Sequence, residues 1–160
     1  MSHIVVVDTN VAIAANGRDT HADLECQFAC VEKLEDIVRD DVVAIDDHDL
    51  IIDEYKRHLN FSGQPDMGDM FFKHIVNHQY SDDRVKQVPI TPVSDEKRGY
   101  SELPENSFDP SDRKFLAVAV VAKALIANAT DSDWSENKAL TDGLGIRVEQ
   151  LCPQHATRDG

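Results

Sequence analysis

Four acidic residues stand where the chain turns from apolar to polar. Asp8 closes the run Ile4 to Val7, and Asp131 follows Ile126 to Ala129. Asp112 lies in DPSD just ahead of the apolar run from Phe115, and Glu54 follows Leu50 and Ile51 by about one helical turn. Glu54 is therefore expected on or beside a buried helix face, where a carboxylate is costly unless something neutralises it. Carboxylates brought together from separate elements repel one another, and divalent cations relieve that repulsion. Hard oxygen donors select Mg²⁺ or Mn²⁺ over zinc. One or two such ions on Asp8, Glu54, Asp112 and Asp131, with Asp133 as a fifth ligand, would suit phosphodiester cleavage: they polarise the phosphate, activate water and neutralise the leaving oxygen. Each acid also has a plainer use. Asp8 can be a turn residue, Glu54 a solvated helix carboxylate and Asp112 a partner of a helix dipole, while Asp133 and Glu136 form a D-x-x-E cap.

The elements that must position these acids follow from the apolar pattern. Ile4 to Val7 is a β-branched run suited to a strand buried on both faces, as in a parallel sheet covered by helices. After a polar turn at Asn16 to Asp19, Thr20 is expected to cap a helix whose inward face is Leu24, Phe28, Val31, Leu34 and Val38. Val42 to Ile45 is a second strand, and Asp46-Asp47 suits capping of the helix with Leu50, Ile51, Tyr55 and Leu59. Phe61 to Asp69 reads as a loop, and Met67 to Tyr80 as a helix with Met70, Phe71 and Ile75 inward. VKQVPIT is a weak edge strand because of Pro89. Thr91 to Pro110 is long and polar, a loop of the functional or mobile kind. Asp109 is an N-cap, with Pro110 and Asp112 in the first turn of the helix that runs to about Ile126. A strand around Ile126 to Ala129, a helix to about Asp142 and a strand at Ile146 to Leu151 complete the order. Strands alternating with helices predict an α/β fold, a three-layer α/β/α sandwich around a mostly parallel sheet. In such sheets ligands bind beyond the carboxyl ends of the strands, where Asp8 and Asp131 stand.

At 160 residues the chain is the size of one domain, expected over 1–152 with a polar tail at 153–160. Thirty acidic against 16 basic residues give a formal net charge of -14. Such a surface repels phosphate chains and anionic lipid, which counts against a nucleic-acid coat protein or a membrane-surface binder, but not against a site that recruits divalent cations. No apolar run reaches the ~20 residues of a membrane helix, and no secretory signal is evident, so a cytoplasmic protein is expected. Cys26, Cys30 and Cys152 are an odd number without CxxC spacing, which fits reduced thiols. His74 and His78 have a zinc-compatible spacing but lack a third ligand and the glutamate of HExxH. No nucleophile elbow or glycine-rich phosphate loop occurs.

Together, IVVVDTN, the helix containing DEY at Asp53 to Tyr55, DPSDRKFLAVA at Asp109 to Ala119 and NATDSDW at Asn128 to Trp134 resemble the successive motifs of the PIN domain nucleases over about Ile4 to Leu151. The resemblance implies a metal-dependent endoribonuclease in which Asp8, Glu54, Asp112 and Asp131 bind Mg²⁺ or Mn²⁺ and activate water against RNA, with Thr9 or Asn10 orienting the first acid. It further implies, as in many small bacterial members, a toxin of a toxin-antitoxin pair, homodimeric and silenced by an antitoxin. The chain departs from the pattern in carrying Trp134 at the aromatic of D-x-D-F and in its Thr91 to Pro110 segment. Lys56-Arg57 and Arg113-Lys114 are expected to rim the cleft and grip phosphates, the alternative being solvated helix charges. With few aromatic residues to stack on bases, RNA choice falls to RNA shape or the long loop. Two other functions compete: a catalytically degenerate binding module for RNA or a basic protein, and an aspartyl phosphotransfer enzyme on a similar sheet. Retention of all four acids argues against the first. Asn10, where such phosphatases need a second acid, argues against the second.

Overall fold

The computed structural model describes residues 3–18, 20–60 and 66–156 of the chain. β1 (Ile4–Val7) leads into α1 (Thr9–Asn16) and α2 (Leu24–Asp40), and β2 (Val42–Asp46) into α3 (Leu50–His58) and α4 (Met67–Asn77). β3 (Val85–Val88) is followed by a long irregular stretch, a 3-10 turn at Pro110–Asp112 and α5 (Arg113–Ala122). β4 (Leu125–Asn128) precedes the short α6 (Asp133–Glu136) and α7 (Lys138–Gly143), and β5 (Val148–Gln150) precedes α8 (Pro153–Ala156). The sheet order is β3-β2-β1-β4-β5 and every pairing is parallel. This is the expected α/β sandwich. β3 takes the edge position that Pro89 implied. The connections β1 to β3 and β3 to β5 run in opposite directions along the sheet, so the right-handed rule puts α1, α2 and α4 on the face opposite α5, with α3 touching both α4 and α5. α5 packs across β1, β2, β3 and β4, whereas α1, α2 and α4 pack on one another. Val5, Val6 and Val7 are fully buried, as a central strand covered on both faces requires. The connections from β1 and from β4, which are neighbours in the sheet, leave in opposite directions, so the topological switch point lies between them.

Several local expectations are corrected. Thr9 to Asn16, to which the sequence pattern assigns no element before the turn at Asn16 to Asp19, forms a helix, capped at its start by Asp8 and at its end by Gly17 in the left-handed conformation. The cap of α2 is Asp23, whose carboxylate accepts from the Cys26 amide at 2.8 Å, and not Thr20. The inward face of α2 is Cys26, Cys30, Leu34 and Ile37, while Leu24 and Phe28 are 68% and 66% exposed. Met70 likewise faces outward, and Phe71, Phe72 and Ile75 fill the core side of α4. Asp46 satisfies the start of α3 by accepting from the amides of His48, Leu50 and Ile51. The expected loop at Phe61 to Asp69 lies outside the described residues over 61–65, and the tail over 157–160. Cys26 and Cys152 form a disulfide across 126 positions, correcting the expectation of reduced thiols, while Cys30 beside them is free. The fold unites them because α2 turns its cysteines inward where the chain leaves β5. The first part of the tail is thereby fastened to α2 and forms α8.

The segment between β3 and α5 is folded upon itself. Ile90, Leu103 and Phe108 are buried, Pro92 bridges to Tyr100, and Arg98 donates to the carbonyls of Leu103 and Ser101. Among the described helices none is long and apolar enough to cross a membrane.

α1 and α4 meet at Gly68. A Cβ there would lie 2.0 Å from the Ala12 carbonyl oxygen and 2.6 Å from Asn16 Oδ1. Replacing a helical glycine by alanine ordinarily stabilises by about 0.4–1 kcal/mol. A collision with backbone forces a shift that costs about 1–3 kcal/mol or more, so the collision wins. Gly68→Ala is expected to lower the midpoint of denaturant unfolding; an unchanged or raised midpoint would contradict this packing.

Candidate metal centre

Asp8 is placed by the last residue of β1 and the first of α1. Its amide donates to the Ala127 carbonyl of β4 at 3.1 Å, so the β1 and β4 ends are tied together where it emerges. Tyr55 of α3 donates its hydroxyl to the Val7 carbonyl at 2.5 Å, fixing the strand end from the other side. Asp112 comes from the first turn of the α5 segment. Asp109 caps it by accepting from the amide and hydroxyl of Ser111, and the 3-10 turn swings Asp112 inward, 7% exposed. Asp131 lies beyond β4, where Asn10 and Asn128 organise the loop. Asn10 Oδ1 accepts from the amides of Ala129 and Thr130, its amide nitrogen donates to Asn128 Oδ1 at 3.0 Å, and Asn128 Nδ2 donates to the Asp131 carbonyl at 2.8 Å.

Asp8, Asp112 and Asp131 each bring a carboxylate oxygen to one point at the switch between β1 and β4, those atoms lying within 4.8 Å of one another. Among the described residues no ion pair reaches any of the three. The cost is visible in the acidity of Asp8 and Asp112. Burial first, then the charges of Asp131 and Glu54, push the Asp8 carboxyl up to about 7, against the lowering effect of its hydrogen bond from Trp134. Asp112 is raised further by burial, the nearby Asp8 charge and hydrogen bonds with Asp133 and Asp131. Without a counter-cation the cluster therefore retains protons that isolated carboxyls would release.

Asp133 borders the cluster. Its amide donates to Asp131 Oδ1 at 2.9 Å and its Oδ2 accepts from the Asp109 amide, which locks the Asp131 loop to the start of α5. Glu54 stands on the other border with Lys114 Nζ 2.7 Å from Oε1 and the Thr9 hydroxyl donating to Oε2. The hydroxyl of Thr9 thus engages Glu54, and Asn10 shapes the Asp131 loop. Arg113 and Lys114 do not form a solvent-facing rim: each is 8% exposed. Arg113 holds the long segment through Asn106 Oδ1 and the Glu96 carbonyl. Lys56 and Arg57 are exposed on α3, Lys56 lining an apolar groove with Ile52 and Phe72 and Arg57 a cleft with Arg18 and Asp69.

Trp134 contributes more than an aromatic surface. It is 1% exposed, packs on Phe108 with ring centroids 4.9 Å apart, and donates its indole N–H to Asp8 Oδ2 at 2.7 Å. The pattern D-x-D-W signals an aromatic here, but no spacing announces that its nitrogen would reach the first acid. The motif beginning at Asn128 does not announce the role of that side chain, although an asparagine closing a buried strand is a signal for polar organisation of the following loop. His74 and His78 stack with ring centroids 4.6 Å apart, and among the described residues no third ligand joins them.

No family model matches the chain, and no curated protein matches it. Among solved structures, a chain in the crystal structure of VapBC2 from Rickettsia felis bound to a DNA fragment from their promoter is similar over 92% of this chain and 98% of that one, with 14% identity and a TM-score of 0.49. That distance assigns no role to any residue here.

Proposed function

We propose that this chain is a metal-dependent endoribonuclease of the PIN domain type. The observation that carries the reading is the meeting of Asp8, Asp112 and Asp131 at the switch point, buried or half-buried and, among the described residues, with no ion pair to a basic side chain. Three hard oxygen donors at this separation fit Mg²⁺ or Mn²⁺, and protons held against their ordinary acidity are what a cation would displace. A divalent ion bound there supplies charge stabilisation on a phosphate and makes water a better nucleophile near neutral pH.

The chain's own residues do the positioning. Asp8, Asp112 and Asp131 present the ligand oxygens, with Asp133 bracing the loop of the third. Trp134 holds the Asp8 carboxylate through Oδ2 while the Asn10 amide donates to Oδ1, which fixes the carboxylate in one orientation. Asn10 and Asn128 hold the end of β4, and the Lys114–Glu54–Thr9 group borders the site. The acidic surface restricts RNA to a local, salt-sensitive contact beside the cluster. We extend the proposal to a cytoplasmic setting, a homodimer and a basic antitoxin-like partner; the motif resemblance supports these, and the formal charge of -14 is complementary to such a partner.

Chelation tests the reading. Protein stripped with EDTA is expected to leave a mixed RNA pool intact, and added Mg²⁺ or Mn²⁺ to restore cutting. Cutting that persists unchanged in EDTA would refute it.

A further inference from the structure

Lys114 follows Asp112 by two positions, yet it does not point at solvent. The helical turn carries its stem inward over the Phe115 ring, 5.1 Å from Nζ to the centroid. The ammonium donates to Glu54 Oε1 at 2.7 Å and to the Ser111 carbonyl at 2.6 Å. The Lys114 and Glu54 side chains are 10% and 13% exposed. The remaining oxygen of Glu54 accepts from Thr9, the residue next to Asp8. Glu54 is therefore held on both oxygens by the protein, and it stands outside the group of three acids whose oxygens share one point.

This division bears on how many cations the site takes. Two-metal phosphodiesterase sites place their ions about 3.5–4 Å apart, so even when one acid bridges the pair the second ion needs further oxygen ligands. Of the two bordering acids, Asp133 is engaged by the Asp109 amide on Oδ2 and by the Asp112 side chain, so a second ion away from the first would draw on Glu54. An ion on Glu54 Oε1 would come up against the Lys114 ammonium already bonded to that oxygen, and like charges at such range in a partly buried site repel strongly. We infer that Lys114 is the built-in second cation of the site: it holds Glu54 as a positioning pair beside Asp8 and limits the site to one divalent ion on Asp8, Asp112 and Asp131. This rests on the metal-centre reading proposed above and fixes its stoichiometry.

Titration of the full chain with Mn²⁺, with free ion followed by electron paramagnetic resonance, tests the inference without any activity measurement. Wild type is expected to bind one ion per chain, and Lys114→Arg, which keeps the cation, also one. Lys114→Met is expected to bind a second ion, and adding Glu54→Gln to it to restore one. Glu54→Gln alone is expected to weaken Mn²⁺ by less than about tenfold, the lower end for a group that only orients ligands, while Asp8→Asn costs more. Two ions in wild type, a single ion in folded Lys114→Met, or a larger loss in Glu54→Gln would overturn the role of Lys114 and leave the metal centre standing. No Mn²⁺ bound by wild type would overturn the metal centre and this inference with it.

Discussion

Asp112→Asn is expected to abolish Mn²⁺-dependent RNA cleavage, by at least about a thousandfold in initial rate, while making the metal-free protein more stable. Both effects have one cause. Asp112 is buried against Asp8, with Asp131 and Asp133 bonded to it, and its carboxyl is held far above ordinary acidity by that burial and those neighbours. An asparagine of the same shape removes a charge the fold tolerates poorly and supplies an amide that can donate to the remaining acids. It also removes an anionic ligand. Function at this position thus opposes stability, the usual relation at a strained site. Thermal unfolding in EDTA and initial rates in Mn²⁺ provide the check. An Asp112→Asn protein that unfolds at a lower temperature than wild type in EDTA, or cuts RNA at a comparable rate, would contradict the assignment.

The second large effect is a pH dependence of the wild type without metal. Asp8 has an ordinary acidity of 3.8 when unfolded and about 7 in the folded chain. Between those values the native state binds a proton that the unfolded state has released. Stability from this group is therefore full below about pH 4, falls as pH rises, and has been lost above about 7. A shift of that size corresponds to about 4 kcal/mol, or roughly 10 °C in Tm for a domain of this length. Asp112 extends the decline in the same direction. In EDTA the Tm is expected to fall from pH 4.5 to 8, and saturating Mg²⁺ or Mn²⁺ to recover much of the loss at the upper end by binding the native state alone. A Tm that rises steadily over this range in EDTA, or that divalent ions leave untouched at pH 8, would contradict a repulsive carboxylate cluster. Asp8→Asn should flatten the profile.

Much of this site was legible because its acids sit at grammatical positions in an α/β chain. Asp8 ends the most apolar strand, Asp131 follows another, and Asp109-Pro110 announces the helix start that delivers Asp112. A parallel sheet then brings strand ends to one edge. The phase of α2 was not legible, since the pattern offered Leu24 and Phe28 as large apolar residues while the packed face is built on the smaller Cys26 and Cys30. α1 was not legible because TNVAIAAN follows the strand directly in sequence and is only weakly amphipathic, so no helical period stands out. Pairings across long separations were equally hidden. The disulfide of Cys26 with Cys152, the hydrogen bond from Trp134 to Asp8 and the ion pair of Lys114 with Glu54 depend on tertiary placement. Lys114 shows the consequence most clearly: adjacency to Asp112 suggested a phosphate-gripping rim, and helix geometry turned it toward an internal carboxylate.

We propose Asp8, Asp112 and Asp131 as a divalent-ion centre that cuts RNA. The most direct measurement is the time course of a mixed RNA pool incubated in Mn²⁺ with wild type and, in parallel, with folded Asp8→Asn. Progressive shortening by wild type and none by the variant is the predicted result. Equal cutting by both, or an intact pool with wild type in either Mn²⁺ or Mg²⁺, would contradict it.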